Sequence, residues 1–232
     1  MERIVPDSFW MHFFSRPKKN YNPYVTMILD YPEIIFYDKK QMDALRGKWR
    51  EEFGNDNPVA LEIGSGSGVF AKEMALRHPD RNFLCLELRF KRLCLAAKKT
   101  RNNNLRNIRF LRRRAEEIDD FIGDLEISDI YINFPDPWEE KLKNRIIQES
   151  FFTVTDRILQ TSGRIYFKSD HDGYYQDILR LVERLDRYVV RYHTPDLHNS
   201  SIRETNIKTE FELLFLCKHQ KNINYIEIEK VK

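Results

Sequence analysis

From Val59 onward, short apolar runs alternate with amphipathic stretches, an alternation that predicts repeated strand–helix–strand units. The runs at 59–63, 83–88, 108–111, 129–134, 164–168, 188–192 and 210–217 read as strands. Helices are predicted over 69–77, stopped before Pro79, over 90–100, stopped by Asn102, Asn103 and Asn104, and over 140–159 and 174–185. Within 140–159, Leu142, Ile146, Ile147, Phe151, Phe152, Val154, Ile158 and Leu159 recur near the helical period, so this stretch is expected to pack on the sheet. The fold class is therefore α/β: a doubly wound, seven-stranded, mostly parallel sheet of Rossmann-like type with helices on both faces. The last two strands are separated by a loop over 193–208 rather than a helix, which suits an antiparallel pair ending the sheet. Segment 1–40 mixes aromatics with Pro6, Pro17, Pro23 and Pro32 and reads as an N-terminal extension of one domain over 41–232.

Composition narrows the class without changing the fold. A chain of 232 residues with 41% hydrophobic and 32% charged content can bury one large core. It contains no apolar run long enough to span a bilayer and no signal-peptide core, so a cytoplasmic protein without a membrane partner is expected. Cys85, Cys94 and Cys217 lack metal-ligand spacing and read as reduced core residues. His12, His78, His171, His193, His198 and His219 likewise show no metal spacing, so no metal is expected.

The net charge of +3 conceals a strong segregation. Between Leu88 and Ala115 no acidic residue interrupts Arg89, Lys91, Arg92, Lys98, Lys99, Arg101, Arg106, Arg109, Arg112, Arg113 and Arg114, and the rest of the chain is net acidic. Such a stretch either solvates a helix face or grips a polyanion, releasing a counterion for each phosphate neutralised. Arg112, Arg113 and Arg114 are expected among the phosphate contacts.

The sharpest local signal is Leu61-Glu62-Ile63-Gly64-Ser65-Gly66-Ser67-Gly68, where the first strand turns into the first helix. Glycines there permit positive φ and close backbone approach, forming the floor of a nucleoside pocket at the carboxyl edge of the sheet. A dinucleotide turn wants its third glycine at position 69, but Val69 stands there, so NAD is disfavoured. Glu62 would repel a pyrophosphate and suits a ligand with a cationic end, such as S-adenosylmethionine. Glu87, at the end of the second strand, is placed to accept bonds from two ribose hydroxyls.

The fourth strand exits into Asn133-Phe134-Pro135-Asp136-Pro137-Trp138 on the same edge. Two prolines stiffen this loop, so Trp138 or Phe134 can stack a flat base while Asp136 bonds the base's edge. The other reading is a turn with a cap residue. Guanine N7 has an in-plane lone pair and needs alignment rather than a strong base, whereas enzymes acting on adenine amines resemble one another in an Asn-Pro-Pro-aromatic loop that this chain lacks.

Together with Phe167-Lys168-Ser169-Asp170, Asp196-Leu197-His198-Asn199-Ser200 and Thr209-Glu210-Phe211-Glu212, these segments make the chain resemble the bacterial tRNA (guanine-N7-)-methyltransferases, from about residue 31 to 215. The resemblance implies the Rossmann-like methyltransferase fold of S-adenosylmethionine-dependent enzymes and formation of 7-methylguanosine in the variable loop of tRNA. It implies that Glu62, Glu87 and Asp136 bind the cofactor over Gly64, Gly66 and Gly68, with Asp136 also catalytic. Asp170, Thr209, Glu210, Phe211 and Glu212 would hold the guanosine, with Lys141 and Trp138 as further substrate contacts. Two departures stand out. Glu140 occupies the place of a substrate-contacting lysine, and Arg114 that of a cofactor-contacting aspartate, for which Glu116 is the nearby substitute. The implied partner is tRNA, for a monomer or homodimer. The alternatives are a methyltransferase for another nucleic acid or an amine acceptor, and a catalytically weakened tRNA-binding relative.

Overall fold

The computed structural model describes residues 22–218 and 221–232. Its strands are β1 (Ile35–Phe36), β2 (Val59–Ile63), β3 (Asn82–Leu86), β4 (Ile108–Leu111), β5 (Ile127–Asn133), β6 (Leu159–Ser169), β7 (Tyr188–Thr194) and β8 (Asn224–Lys230). They form one sheet in the order β1-β4-β3-β2-β5-β6-β8-β7. Pairing is parallel from β1 to β6, and β8 runs antiparallel between β6 and β7. The helices are α1 (Tyr24–Met27), α2 (Lys39–Ala44), α3 (Trp49–Phe53), α4 (Val69–Arg77), α5 (Phe90–Asn102), α6 (Ile118–Phe121), α7 (Glu149–Ile158), α8 (Asp172–Val182) and α9 (Glu210–Lys218). This is the doubly wound, mostly parallel sheet that the apolar pattern predicts.

The central strands β2 and β3 are buried along their whole length because both sheet faces are covered there. On β2, Val59, Leu61 and Ile63 join a cluster that includes Phe152 of α7 and Ile178 of α8. Ala60 points the other way, to Phe70 and Met74 of α4 and Leu93 and Ala97 of α5. By the same alternation Glu62 projects toward the α4–α5 face. Gly68 shows how tightly that face is built: its φ is +72°, and a Cβ there would lie 2.7 Å from the Ala96 Cβ. Only glycine lets α4 start so close to α5. Cys85 and Cys94 are buried and unpaired, and no helix among the described residues is long and apolar enough to cross a membrane.

Three expectations need correction. The run at 210–217 is a helix, not a strand. Thr209 Oγ1 accepts a bond from the Glu212 N–H at 3.0 Å, and Glu212 Oε2 accepts one from the Thr209 N–H at 2.8 Å. This capping box starts α9 despite the apolar residues that follow, leaving Phe211, Leu213 and Leu214 exposed. The strand role falls to Asn224–Lys230, where apolar Tyr225, Ile226 and Ile228 are buried. Adding β1, which pairs with β4, makes the sheet eight-stranded rather than seven-stranded.

The helix expected over 140–159 covers only Glu149–Ile158; before it lie a loop and a 3₁₀ turn at Leu142–Asn144. Leu142 is exposed, and the loop folds instead around the buried Arg145. Of the expected extension, residues 1–21 lie outside the described residues. Val25, Ile28, Ile34, Ile35 and Phe36 are buried against the sheet.

Much of the basic stretch is spent internally. Arg113 is buried, with its guanidinium bound to Asp43 at 2.6 Å, Glu117 at 2.9 Å and Asp120 at 3.1 Å, and it lies over the Phe121 ring. It ties the end of β4 to α2 and α6. Arg113→Ala would leave three carboxylates facing one another without a cation. A fully buried pair would cost more, but the carboxylates are about half exposed, so we expect a loss of about 2 kcal/mol in urea unfolding. A change below about 0.5 kcal/mol would contradict this role.

Candidate functional site

The carboxyl ends of β2, β3, β5 and β6 converge on one edge of the sheet, where a doubly wound fold places its ligands. The turn after β2 is built by Gly64, Gly66 and Gly68, at φ of +80°, +58° and +72°. Its first two N–H groups, on Gly64 and Ser65, donate to the Leu86 carbonyl at the end of β3. That clamp holds Glu62 and Glu87 beside each other on adjacent strands.

Glu62 is 4% exposed. Its Oε1 accepts a bond from Asn133 Nδ2 at 3.1 Å, while its Oε2 is buried without a partner, as is the Ser65 Oγ. Burial pushes the Glu62 carboxyl up to about 7, against the pull of the Asn133 amide and the Lys168 ammonium; the Glu87 charge adds to the rise. A buried carboxylate oxygen without a donor, beside a flexible-glycine turn, is what a cationic ligand would satisfy. Glu87 accepts from the Arg89 N–H at 2.8 Å, and its second oxygen faces the Arg92 guanidinium at 3.8 Å.

Opposite this carboxylate pair, α9 closes over the glycine turn. Glu210 accepts a bond from Ser67 Oγ at 2.8 Å, and Lys99 Nζ donates to the Ser67 carbonyl at 2.8 Å. The Phe211 ring lies 5.0 Å from that of Phe134. Glu210 and Phe211 thus stand beside the glycine turn and the loop after β5. Thr209 and Glu212 are not available to a substrate: besides the capping box, Glu212 accepts bonds from Lys168, Asn206 and His198. Burial works to raise the Glu212 carboxyl, but the Lys168 ammonium and these donors outweigh it and hold it below its ordinary value. Lys168 in turn is buried on β6 and donates also to the Ile207 carbonyl. The pair fixes α9 over the edge of the sheet.

Lys168, Asn133 and Ser65 were not among the sequence-derived candidates. A lone lysine within an otherwise apolar strand end, Ile165-Tyr166-Phe167-Lys168, was the signal for the first, because a buried lysine needs a carboxylate. The unpartnered Ser65 hydroxyl had no sequence signal beyond its place between glycines.

The loop after β5 carries the remaining candidates. Phe134 and Trp138 both have positive φ, 52° and 44°, a costly conformation for aromatic residues that the surroundings must enforce. Asp136 is exposed and makes no bond with a described residue; Trp138 and Lys141 are exposed beside it. Asp170, at the end of β6, is partly buried and lies 3.6 Å from Lys221. Glu116 is exposed on the 3₁₀ turn after β4, Ala115–Glu117, and makes no bond with a described residue. The acidic residue at 139 has a structural use, since Glu139 bonds His171 at 2.9 Å.

The basic candidates divide. Arg113 is neutralised internally and cannot meet a phosphate, and Arg112 stacks on Phe90 while donating to the Leu88 carbonyl. Arg101 binds Glu33 and stacks on Tyr31, and Arg109 lies over Phe53 near Glu52. Arg89, Lys98, Arg106 and Arg114 are exposed and form no ion pair with a described residue.

Arg145 holds the strained loop in place. Its Nε donates to the Pro137 carbonyl at 2.6 Å, its Nη1 to Asp177 at 2.7 Å, and its guanidinium lies 4.5 Å from the Tyr174 ring centre. Arg145→Ala should raise amide hydrogen exchange across 134–141 by at least about tenfold while the central strands keep their protection. Unchanged exchange there would remove Arg145 as the anchor.

Known proteins resemble this chain in sequence and in fold. Residues 56–225 match the Methyltransf_4 model, a methyltransferase family. A bifunctional glycosyltransferase/methyltransferase of Fusobacterium nucleatum is 58% identical over 96% of this chain, which spans only 35% of that relative's length. The tRNA (guanine-N(7)-)-methyltransferase of Geobacillus thermodenitrificans is 38% identical over 82% of this chain and 87% of its own. Among solved structures, the 16S rRNA methyltransferase KamB matches with a TM-score of 0.60 at 12% identity, over 85% of this chain and 95% of its own, a likeness of fold. The chain belongs to the family of the bacterial tRNA (guanine-N7-)-methyltransferases.

Proposed function

We propose that this protein transfers the methyl group of S-adenosylmethionine to N7 of a guanosine in the variable loop of tRNA. The observation that carries the reading is the buried, unpartnered Glu62 oxygen beside the glycine turn, in a chain similar along most of its length to tRNA (guanine-N(7)-)-methyltransferases. The residues present fit the cofactor. Glu62 and Ser65 would satisfy its ammonium end, the glycine turn would pass under it without side chains, and Glu87 would accept the ribose hydroxyls. When bound, S-adenosylmethionine supplies a methyl group on a cationic sulfur.

The chain's own residues then have a positioning task. Guanine N7 would accept that methyl group through its in-plane lone pair, with the bonding pair of the old carbon–sulfur bond staying on sulfur, and no proton would need to be removed by the protein. The base becomes positively charged. Asp136, exposed on the stiff loop and without an internal partner, would accept bonds from the guanine's N–H edge and balance that charge as it develops. Phe134 and Trp138, held in their strained conformations, would offer flat faces for the base. Glu210, bound to Ser67, would fix α9 as a wall beside the cofactor. Arg89, Lys98, Arg106 and Arg114 would supply the phosphate contacts that the buried Arg113 cannot.

Two measurements test this reading. Purified protein given radiolabelled S-adenosylmethionine and unmodified tRNA is expected to yield labelled 7-methylguanosine, and Asp136→Ala to lower kcat at least about a hundredfold. Label in another nucleoside, or none with the wild type, would overturn the reading. The second is a pH profile of S-adenosylhomocysteine binding by calorimetry. Glu62 in the empty protein is neutral below about 7 and ionised above it. A ligand ammonium needs the ionised form, so affinity should rise about tenfold from pH 6 to pH 8, with proton release, and Glu62→Gln should flatten the profile. A flat wild-type profile would show that Glu62 does not meet the ligand's charge.

A further inference from the structure

Beside the acceptor loop lies a second cleft, of about 560 Å³, that the proposed transfer does not use. Asp172, Tyr175 and Gln176 of α8 line one side, and Lys221, Asn222 and Asn224 the other. Two contacts tie it to the acceptor site. His171, immediately before Asp172, bonds Glu139 at the end of the Pro135–Trp138 segment, and Lys221 pairs loosely with Asp170. Asp172 follows Asp170 by two residues, so the cleft begins within about 7 Å of the residue assigned to the guanosine.

The walls have a definite chemistry. Asn224 is fully buried; its Nδ2 donates to Asp172 Oδ1 at 2.8 Å, and its Oδ1 has no donor. Asp172 is exposed, and its second oxygen makes no bond with a described residue. Acceptors are therefore in excess on this side. Gln176 and Asn222 are exposed amides that can donate or accept, and Lys221 places a half-exposed cation at the rim. Tyr175, buried in the wall with its hydroxyl bonded to His193 Nδ1 at 2.6 Å, backs the cleft, and the exposed Pro195 adds apolar surface.

A simple anion does not suit a cleft containing an unneutralised carboxylate. A molecule with hydroxyl or amino donors, a flat apolar face and one negative charge at its edge does, and these features occur together in a ribonucleotide. Resting on the reading of the site as a tRNA methyltransferase, we propose that this cleft is the subsite for the ribonucleotide next to the target guanosine. Its donors meet Asp172 and the amides of Gln176 and Asn222, and its phosphate meets Lys221. The cleft then contributes to substrate choice by reading a neighbour of the reacting base, since such flanking contacts set the sequence context of enzymes that act on a displaced base.

The test uses the full chain and tRNA transcripts carrying 4-thiouridine on either side of the target guanosine, irradiated in the presence of S-adenosylhomocysteine. Cross-links are expected in peptides containing residues 172–176 or 221–224. In steady state, the double variant Gln176→Ala, Asn222→Ala, which changes two exposed side chains, is expected to raise KM for tRNA about tenfold. Its kcat and its affinity for S-adenosylhomocysteine should match the wild type, and the wild-type preference among transcripts differing at the flanking position should flatten. Cross-links confined to other peptides, or an unchanged KM and preference, would overturn the subsite. If the wild type methylates no guanosine, the proposed function fails, and cross-linking to the unmodified transcript still decides whether the cleft holds RNA.

Discussion

Lys168 sits at the end of β6 with almost no access to water, and the rest of the edge is arranged to keep it charged there. Its ammonium is matched by Glu212, whose other bonds go to the Thr209 N–H, Asn206 and His198. An unpaired ammonium in this position would cost several kcal/mol, so removing either partner leaves a buried charge that the fold cannot tolerate. Because Glu212 is also half of the capping box of α9, neutralising Lys168 and starting α9 are one event. The start of the helix that roofs the glycine turn is therefore fixed by an ion pair, and there Phe211, Leu213 and Leu214 remain exposed.

The same edge balances its charges unevenly, and the proposed cofactor site rests on that imbalance. Glu212 has several donors; Glu62, buried nearby on β2, has one bond from Asn133 and an oxygen with none. Lys168 acts on both carboxyls, yet it bonds only Glu212. A protein that needed only stability would have donated a second hydrogen bond to Glu62 or replaced it with an apolar residue. Leaving it half satisfied stores a demand for positive charge at the point where the glycines allow a ligand to approach the backbone.

The sheet order and the glycine turn were legible because each follows from a local rule: apolar runs covered on both faces, and glycine where φ is positive. Glu62 and Glu87 were legible for the same reason, being the residues at two strand ends beside that turn. The run at 210–217 misled because five apolar side chains outweigh, as a pattern, the two polar residues that decide its conformation; the Thr209–Glu212 capping box is a sequence signal, but a quieter one. Leu142 and its neighbours misled differently. Their helical spacing is real, yet Arg145 is worth more buried against Pro137, Asp177 and Tyr174 than the extra turns of helix would be. No periodicity reports a tertiary bond of that kind.

The basic stretch shows why charge along a chain is not charge on a surface. Arg113, on the β4 exit, falls among Asp43, Glu117 and Asp120, acids from α2 and from the turn and helix after β4, and so its charge is cancelled where it stands. Arg101 and Arg109 are drawn onto aromatic rings beside carboxylates. Among those that remain outward, Arg89 precedes α5, Lys98 lies within it, Arg106 stands before β4 and Arg114 follows β4. The acidic residues after Trp138 follow the same logic in reverse. Glu139 is committed to His171, which braces the loop after β5 from within. Charge along the chain and charge at its surface therefore differ, because each cation that packs among acids or on a ring is spent inside the fold.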